Sequence, residues 1–246
     1  MRYTEAADRL TQTATLGVRP ATVVVTTNVD HLVRLDRATA EFVALYRDAD
    51  AIFADGMPLV WASHYLAETP LPERVTGADL FVTLAERAAA LRLPIFVVGG
   101  MPGDEPQLTA ELSARFPGLQ VEVYSPSMQF SADGIEGYEA VRRIARSQPA
   151  MVFVCLGMPK QETWAMLHRS SLATSVVMCV GAALEFALGH KRRAPLWMQR
   201  HGMEWLWRLA TEPRRLWRRY LVQSVRFIRL LWNERTISAQ RSANVR

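Results

Sequence analysis

The chain alternates between short, continuously apolar runs and longer stretches in which charged residues recur at helical spacing. Six runs rich in β-branched or apolar residues predict strands, because strands covered on both faces of a parallel sheet lack polar alternation. These runs are residues 22–29, 51–54, 94–98, 119–124, 151–156 and 175–180. Helical patterns lie between them, for example at 78–92 and 135–146. The alternation predicts a Rossmann-like α/β fold with a mostly parallel sheet flanked by helices.

Polar residues, glycine and proline collect directly after the predicted strands. The strand ends read T-T-N-V-D, A-D-G-M-P, G-G-M-P-G, L-G-M-P-K-Q-E and V-G-A-A-L-E-F in chain order. In doubly wound sheets, ligands bind beyond the carboxyl ends of the strands, where loops lead into helices. The sequence therefore predicts a pocket for a polar ligand at this edge of the sheet.

Asp55 and Gly56 directly follow the second predicted strand. A partly desolvated carboxylate at a strand end has a raised pKa and can accept a proton from a substrate hydroxyl. Asp is also a common N-cap, here for a helix that would begin near Pro58. Both interpretations stay open, and both can hold together.

Two further strand ends carry motifs that suit anionic groups. Residues 157–162, Gly-Met-Pro-Lys-Gln-Glu, combine a glycine at the strand end with a proline at a first helical position. The free N–H groups of such a first turn could bind a phosphate or a sugar hydroxyl, although an ordinary helix start explains the same residues. Gly99 and Gly100 could let the backbone approach a diphosphate, and a simple tight turn is the competing interpretation.

The sequence predicts no cofactor and no metal site. It lacks the G-x-G-x-x-G fingerprint of dinucleotide-binding proteins. The D-x-D string of Asp48 and Asp50 precedes a strand, so we expect it at the opposite end of the sheet, in a solvated turn. The histidines show no ligand spacing, and both cysteines, Cys155 and Cys179, lie in apolar runs typical of buried thiols.

Charge and aromatic residues are distributed unevenly along the chain. Residues 1–190 carry 15 Lys and Arg against 21 Asp and Glu, whereas residues 191–246 carry 14 against 3. Five of the seven tryptophans lie after residue 196. These features predict an α/β core at 1–190 and a basic helical appendage at 191–246. The partner of the appendage should be anionic, either a membrane surface or a nucleic acid.

A helix beginning at Leu216 would be amphipathic. One half of its surface would hold Leu216, Trp217, Tyr220, Leu221, Val225, Phe227, Ile228, Leu231 and Trp232. The other half would hold Arg215, Arg218, Arg219, Arg226 and Arg229. This composition is typical of a helix lying in a membrane interface, and a helix docked on its own domain is the alternative.

The N-terminal residues lack the apolar segment of a signal peptide, and no run of 18 apolar residues predicts a membrane span. We therefore expect a cytoplasmic protein that is peripheral on the inner face of the plasma membrane.

Several motifs together resemble those of the WecG/TagA/CpsF glycosyltransferases. The block at 191–221 is similar to that family's signature tail. Five further motifs precede this block, in the same order as in the family: Thr26-x-Asn28, Asp55-Gly56, Arg74-x-Thr76-Gly77, Gly99-Gly100 and Gly157-x-Pro159-x-Gln161-Glu162. The resemblance spans roughly residues 20–225, and the tail block combined with G-x-P-K-Q-E is highly specific.

The resemblance implies a metal-independent, inverting transferase. Its UDP-sugar would donate N-acetylmannosamine, the corresponding uronic acid or glucose to a polyprenyl-diphosphate-linked saccharide in cell-surface polysaccharide synthesis. It implies catalytic roles for Asp55, as general base, and for Arg74 and Gln161. It implies substrate contacts for Thr26, Asn28, Gly56, Thr76, Gly99, Gly100, Gly157, Glu162, Glu185, Arg208, Arg215 and Arg218.

One motif departs from the family pattern. Many relatives read F-D-F where this chain reads Leu184-Glu185-Phe186, which keeps the carboxylate on a longer side chain. The sugar contact at this position is therefore expected to differ.

Two other classes remain as alternatives. The first is a nucleotide-binding α/β enzyme of another class, such as an oxidoreductase or a deacetylase, with a membrane-anchoring basic tail; the missing G-x-G-x-x-G counts against it. The second is a non-enzymatic nucleic-acid-binding module with a basic C-terminal helix. The partners we expect are a UDP-sugar, a lipid-linked acceptor and an anionic membrane surface rather than nucleic acid, and homo-oligomer formation stays open.

Overall fold

The computed structural model describes residues 1–214, 217 and 225–236 of the chain. Within them one sheet contains β1 (Thr22–Thr27), β2 (Ala51–Ala54), β3 (Ile95–Val98), β4 (Val121–Tyr124), β5 (Met151–Val154) and β6 (Val176–Cys179). The strand order is β2-β1-β6-β5-β3-β4, and each neighbouring pair is parallel. The predicted Rossmann-like α/β fold is confirmed.

Helices connect the strands and continue beyond the last one. In chain order they are α1 (Tyr3–Leu16), α2 (Val29–Leu35), α3 (Ala40–Arg47), α4 (Met57–Leu66), α5 (Gly77–Leu91), α6 (Glu105–Arg115), α7 (Ile135–Ser147), α8 (Lys160–His168), α9 (Ala183–Ala187), α10 (Leu196–Arg200) and α11 (Glu204–Thr211). Residues 225–236 are also helical. The helices predicted at 78–92 and 135–146 are α5 and α7, and their observed bounds differ by one residue.

The sheet is covered on both faces, because alternate strand residues enter two separate apolar clusters. Val24 and Phe153 pack with α1, α5, α6 and α9 on one face, whereas Val25 and Val154 pack with α3, α7 and α8 on the other. All four side chains are fully buried. Burial on both sides is the physical reason for the continuously apolar runs in the sequence.

Three strands, β1, β5 and β6, end one or two residues earlier than predicted, whereas β2, β3 and β4 end where they were predicted to end. Polar residues at the strand ends begin helices. Asn28 is the N-cap of α2, and its Oδ1 accepts a hydrogen bond from the backbone N–H of His31 at 3.2 Å. Thr76 caps α5 in the same way, accepting from the N–H of Asp79 at 3.1 Å. The backbone N–H of Val75 donates to the carbonyl of Ala54 at 2.9 Å. This bond brings the start of α5 to the C-terminal end of β2.

The appendage packs on α2 and α4. Phe227, in the helical segment 225–236, is buried in an apolar cluster with Val33 of α2 and Leu59 of α4. The turn between α10 and α11 touches α4 as well: a Cβ on Gly202 would lie 2.4 Å from the Trp61 ring. The alternative of a C-terminal helix docked on its own domain therefore applies to this segment.

The apolar half of the predicted tail helix is divided by this docking. Phe227 faces the core, whereas Val225, Ile228 and Trp232 of the same segment are exposed. Trp217 is about half exposed, and residues 218–224, on which much of the predicted helix depends, lie outside the described residues. No helix in the described part of the chain is long and apolar enough to cross a membrane.

Candidate active site

A cavity of about 260 Å³ opens at the C-terminal edge of the sheet. The ends of β1, β2, β5 and β6 form its floor, and α11 and the segment before α10 contribute to its walls. Seven of the residues predicted for the site line it: Thr26, Asn28, Asp55, Thr76, Gly157, Gln161 and Arg208. The fold thus brings together residues from both the predicted core and the predicted appendage.

Asp55 directly follows β2 and is only partly exposed. Its backbone N–H donates to the carbonyl of Thr27 at 2.7 Å, which fixes it beside the end of β1. Burial raises the pKa of its carboxyl to about 6, because removing the charged form from water is costly. The Arg208 guanidinium opposes this rise in the pKa, and the Glu204 carboxylate reinforces it.

The N-cap interpretation of Asp55 does not describe the structure. The N-cap of α4 is Gly56, whose φ is 124°, a value that side-chain-bearing residues rarely adopt. Gly56 therefore turns the chain away from Asp55 into α4, and it is not among the residues that line the cavity. The carboxyl of Asp55 is left facing the cavity.

Two arginines meet at one carboxylate of the appendage. Arg74 lies 3.0 Å from Glu204 and donates to the side-chain oxygen of Gln199 at 2.9 Å. Arg208 lies 3.1 Å from the other oxygen of Glu204, and its guanidinium stacks over the ring of Phe186 at 4.7 Å. Arg74 is not among the lining residues; its charge opposes the rise in the pKa of Asp55, and its bonds to Glu204 and Gln199 tie the appendage to the core.

Arg193 is a third guanidinium, which sequence reasoning missed. It lines the cavity and forms an ion pair with Asp79. Asp79 is itself held by the hydroxyl of Thr76 at 2.6 Å. Arg193 belongs to the Lys-Arg-Arg run that opens the basic tail block, and this position was the available signal.

Helix α2 supplies three more lining residues that were not predicted: Asp30 and His31 in its first turn and Arg34 in its last. The Nδ1 atom of His31 lies 2.9 Å from the hydroxyl of Tyr46. Asp30 and Arg34 form an ion pair at 3.1 Å. The sequence indicated these residues only by their position, because Asp30 closes the strand-end string T-T-N-V-D and the other two follow it closely.

Gln161 and Glu162 are buried at the start of α8. The side-chain oxygen of Gln161 accepts hydrogen bonds from Gly157 at 3.1 Å and from Gly181 at 3.0 Å. Its side-chain nitrogen donates to Glu162 at 2.8 Å. Glu162 does not line the cavity, and burial raises the pKa of its carboxyl to about 7.

A second cavity, of about 460 Å³, adjoins the first and shares Gly157, Gly181 and Ala182 with it. Gly100 and Glu185, two predicted contact residues, line this second cavity, and Glu185 forms an ion pair with Lys191. Gly100 has φ 93°, and an added Cβ would lie 2.5 Å from Leu108.

Gly99 lies outside the lining of both cavities. A Cβ there would lie 2.7 Å from Cys155 of the neighbouring strand connection. Gly99 therefore serves the tight turn, which was the competing interpretation of this motif.

Two predicted contact residues, Arg215 and Arg218, lie outside the described residues. Within the described ranges, no group of three His, Cys, Asp or Glu side chains could hold a metal ion. The Asp48-x-Asp50 string lies at the opposite edge of the sheet, where Asp50 accepts from the backbone of Val23 at 2.7 Å and pairs with Arg169.

A partly buried carboxyl facing guanidinium groups at the C-terminal edge of a parallel sheet defines an α/β enzyme whose cavity suits an anionic ligand. The chain belongs to the glycosyl transferase WecG/TagA/CpsF family, whose model matches residues 1–241. It is therefore a glycosyltransferase, and the resemblance seen in its motifs is confirmed.

A relative from Bacillus spizizenii strain W23 is 32% identical over 185 residues. The match covers 73% of this chain and 67% of the relative, which is an N-acetylglucosaminyldiphosphoundecaprenol N-acetyl-beta-D-mannosaminyltransferase.

Proposed function

We propose that this glycosyltransferase moves a sugar from a UDP-sugar to a polyprenyl-diphosphate-linked saccharide, by inverting displacement and without a metal. The name of the Bacillus spizizenii relative, which acts on a lipid-diphosphate-linked N-acetylglucosamine, supports the acceptor class. N-acetylmannosamine is the first choice of transferred sugar, ahead of its uronic acid and glucose. The single observation that carries the chemistry is the Asp55 carboxyl, with its pKa near 6, beside Arg208.

The two halves of the displacement need opposite charges. Asp55 accepts the proton of the acceptor hydroxyl, because its raised pKa still leaves it ionised near pH 7. Arg208 and Arg193, both in the cavity wall, stabilise the negative charge that develops on the departing diphosphate. Guanidinium groups pair with phosphate oxygens bidentately, so this role requires no divalent cation.

The adjoining cavities suit a donor with two parts. The nucleoside fits the second cavity, where Glu185 and Lys191 lie at the rim and apolar side chains such as Leu108 line the wall. The sugar then lies in the first cavity near Asp55. The diphosphate crosses between them over Gly157 and Gly181, where an added Cβ would meet nothing within 4 Å.

A direct test is UDP release from a panel of UDP-sugars with a short-chain polyprenyl diphosphate-GlcNAc acceptor. Release that depends on both substrates, highest with UDP-N-acetylmannosamine, supports the proposal. The anomeric configuration of the product, read by NMR, tests inversion. Release with none of the donors would count against the proposal.

We expect chelation to leave this activity intact. With EDTA in excess, the initial rate should stay within about twofold of the untreated rate, because the charge on the leaving group is balanced by arginines. A metal-dependent hexosyltransferase assayed in parallel controls for effective chelation. A rate that collapses in EDTA and returns with Mn²⁺ or Mg²⁺ would contradict the metal-free mechanism.

We propose further that the appendage at 191–246 holds the core, residues 1–190, on the anionic inner face of the plasma membrane. Exposed tryptophans on α4, α10, α11 and the 225–236 segment, together with the +11 charge of residues 191–246, suit such a surface. They are Trp61, Trp197, Trp205 and Trp232. A nucleic-acid partner would instead show binding that weakens steeply with salt, without an apolar component.

Replacing Trp217 and Trp232 with Ser should weaken binding to anionic vesicles at least tenfold, because both rings are exposed and each burial contributes on the order of 1–3 kcal/mol. Transfer to a soluble acceptor analogue should change less than threefold. Ile135→Ser, which removes an exposed apolar side chain from the start of α7, is the matched control. Vesicle flotation across a salt series, beside a DNA-binding titration, measures the effect. Equal weakening by the control variant would contradict this assignment.

A further inference from the structure

Gln161 and Glu162 form a buried pair below the junction of the two cavities. The exposed fraction of Gln161 is 1%, and that of Glu162 is 0%, although long polar side chains are rarely buried without a specific task. The second carboxyl oxygen of Glu162 is buried and has no hydrogen-bond partner among the described residues. An unsatisfied buried oxygen is destabilising, so stability alone does not account for a carboxyl here.

The oxygen of the Gln161 side chain ties two loops together. Gly157 follows β5 and Gly181 follows β6, and these strands are neighbours in the sheet. One oxygen accepts from both backbone N–H groups, at 3.1 and 3.0 Å. The two glycines have φ values of 77° and 55° and belong to the lining of both cavities. Gln161 therefore fixes the relative position of the two loops over which a ligand would pass.

Glu162 determines which end of the Gln161 amide faces the glycines. A flipped amide would direct its NH₂ group at two N–H donors, and both hydrogen bonds would be lost. The Glu162 oxygen accepts from the amide nitrogen at 2.8 Å and so holds the productive orientation. Glu162 itself is too deeply buried to touch a ligand in either cavity.

We infer that Glu162 is a positioning residue: through Gln161, it holds the Gly157 and Gly181 loops in the register that binds the diphosphate of the donor. This inference deepens the proposed function and rests on it for the identity of the ligand. Glu162 acts at a distance from the reacting atoms, and Gln161 carries its effect.

An exchange of the two side chains tests the pair. In Gln161→Glu, a carboxylate would accept from both glycines but would face the carboxyl of Glu162. We expect this variant to bind UDP about ten- to a hundredfold more weakly at pH 8, because a buried hydrogen bond is replaced by repulsion. In the double variant Q161E/E162Q, the new amide at 162 donates to the new carboxylate at 161. UDP affinity should then return to within about threefold of the wild type.

The pH dependence provides a second readout. The groups facing Glu162 are Gln161 on its own helix, Tyr46 of α3, Cys179 of β6 and Arg34 of α2. Burial raises the pKa of Tyr46 and of Cys179 further above neutrality, so neither changes charge between pH 6 and pH 8. Burial raises the pKa of Glu162 to about 7 in the wild type, and a carboxylate at 161 would raise it further, so in Q161E the pair takes up a proton that the two carboxyl groups share as the pH falls. The defect of Q161E relative to the wild type should therefore shrink as the pH falls from 8 to 6.

Isothermal titration with UDP alone measures these affinities, so the result does not depend on transfer activity. Gln120→Glu adds the same charge at the exposed N-terminal edge of the sheet and serves as control. A double variant that binds UDP no better than Q161E, while melting at the wild-type temperature, would overturn the inference. So would melting temperatures that fall and recover with the exchange while the UDP affinity of the folded protein stays unchanged. Absence of transfer in the wild type would instead count against the proposed function alone.

Discussion

Asp55→Asn should abolish most sugar transfer while making the protein more stable. The amide cannot accept the proton of the acceptor hydroxyl, so kcat should fall about 10²–10⁴-fold while UDP affinity stays close to normal. The wild-type kcat/KM should decline below about pH 6, the pKa to which burial raises the carboxyl, because the base is then protonated.

The stability change follows from the same pKa. The pKa of Asp55 is higher in the folded protein than in the unfolded chain, so its ionisation destabilises the fold. This cost is fully present above about pH 6. It disappears as the pH falls towards 3.8, the ordinary pKa of an Asp carboxyl in an unfolded chain. At pH 8 the Asn variant should gain on the order of 1–3 kcal/mol in the free energy of unfolding, a gain that vanishes near pH 4. Denaturant titration at both pH values measures it, and near-normal turnover by the folded variant would remove Asp55 from the role of base.

Arg208→Ala should lower kcat about 10²–10³-fold on a soluble acceptor analogue, because one charged donor to the developing diphosphate is lost. Arg193→Ala should also lower kcat, because the Arg193 guanidinium lines the same cavity. Arg208 also opposes the rise in the pKa of Asp55, so its removal should shift the acid limb of the pH profile to higher pH.

Arg229→Ala is the matched control for both variants, because it removes the same charge from the exposed 225–236 segment. It should leave kcat on the soluble analogue within about twofold of the wild type. Single-turnover assays with saturating donor separate an effect on chemistry from an effect on binding. If both Arg208→Ala and Arg193→Ala match Arg229→Ala, the appendage only anchors the protein, and the leaving group is stabilised by the core.

The fold and much of the site could be predicted from residue patterns, for physical reasons. Strands buried on both faces must be continuously apolar, and polar ligands of such sheets bind at one edge. Both regularities are local in sequence, so Thr26, Asn28 and Asp55 could be assigned to the same edge without coordinates. The specific tail block then added Arg208, a residue 153 positions beyond Asp55.

Other residues could not be predicted, because their roles depend on pairing. Arg193 and Glu204 lie in a charged tail, where the sequence does not distinguish a residue that folds back onto Asp79 or Arg74 from one that faces a membrane. The helical wheel of the tail likewise placed Phe227 in an apolar half that either a membrane or the protein's own domain could cover, and the structure packs it on α2 and α4. Periodicity identifies the apolar half of a helix but does not say what covers it.

The shared carboxylate Glu204 couples two equilibria that are usually treated apart. It holds Arg74 of the core and Arg208 of the appendage at 3.0 and 3.1 Å, and Arg193 of the appendage is held by Asp79 of the core. A diphosphate entering the cavity would compete with these carboxylates for the same guanidinium groups, so its binding and the ion pairs between core and appendage share a free energy. Thermodynamic linkage makes such coupling reciprocal. Interactions that strengthen these ion pairs therefore weaken diphosphate binding by the same factor by which the diphosphate weakens the pairs.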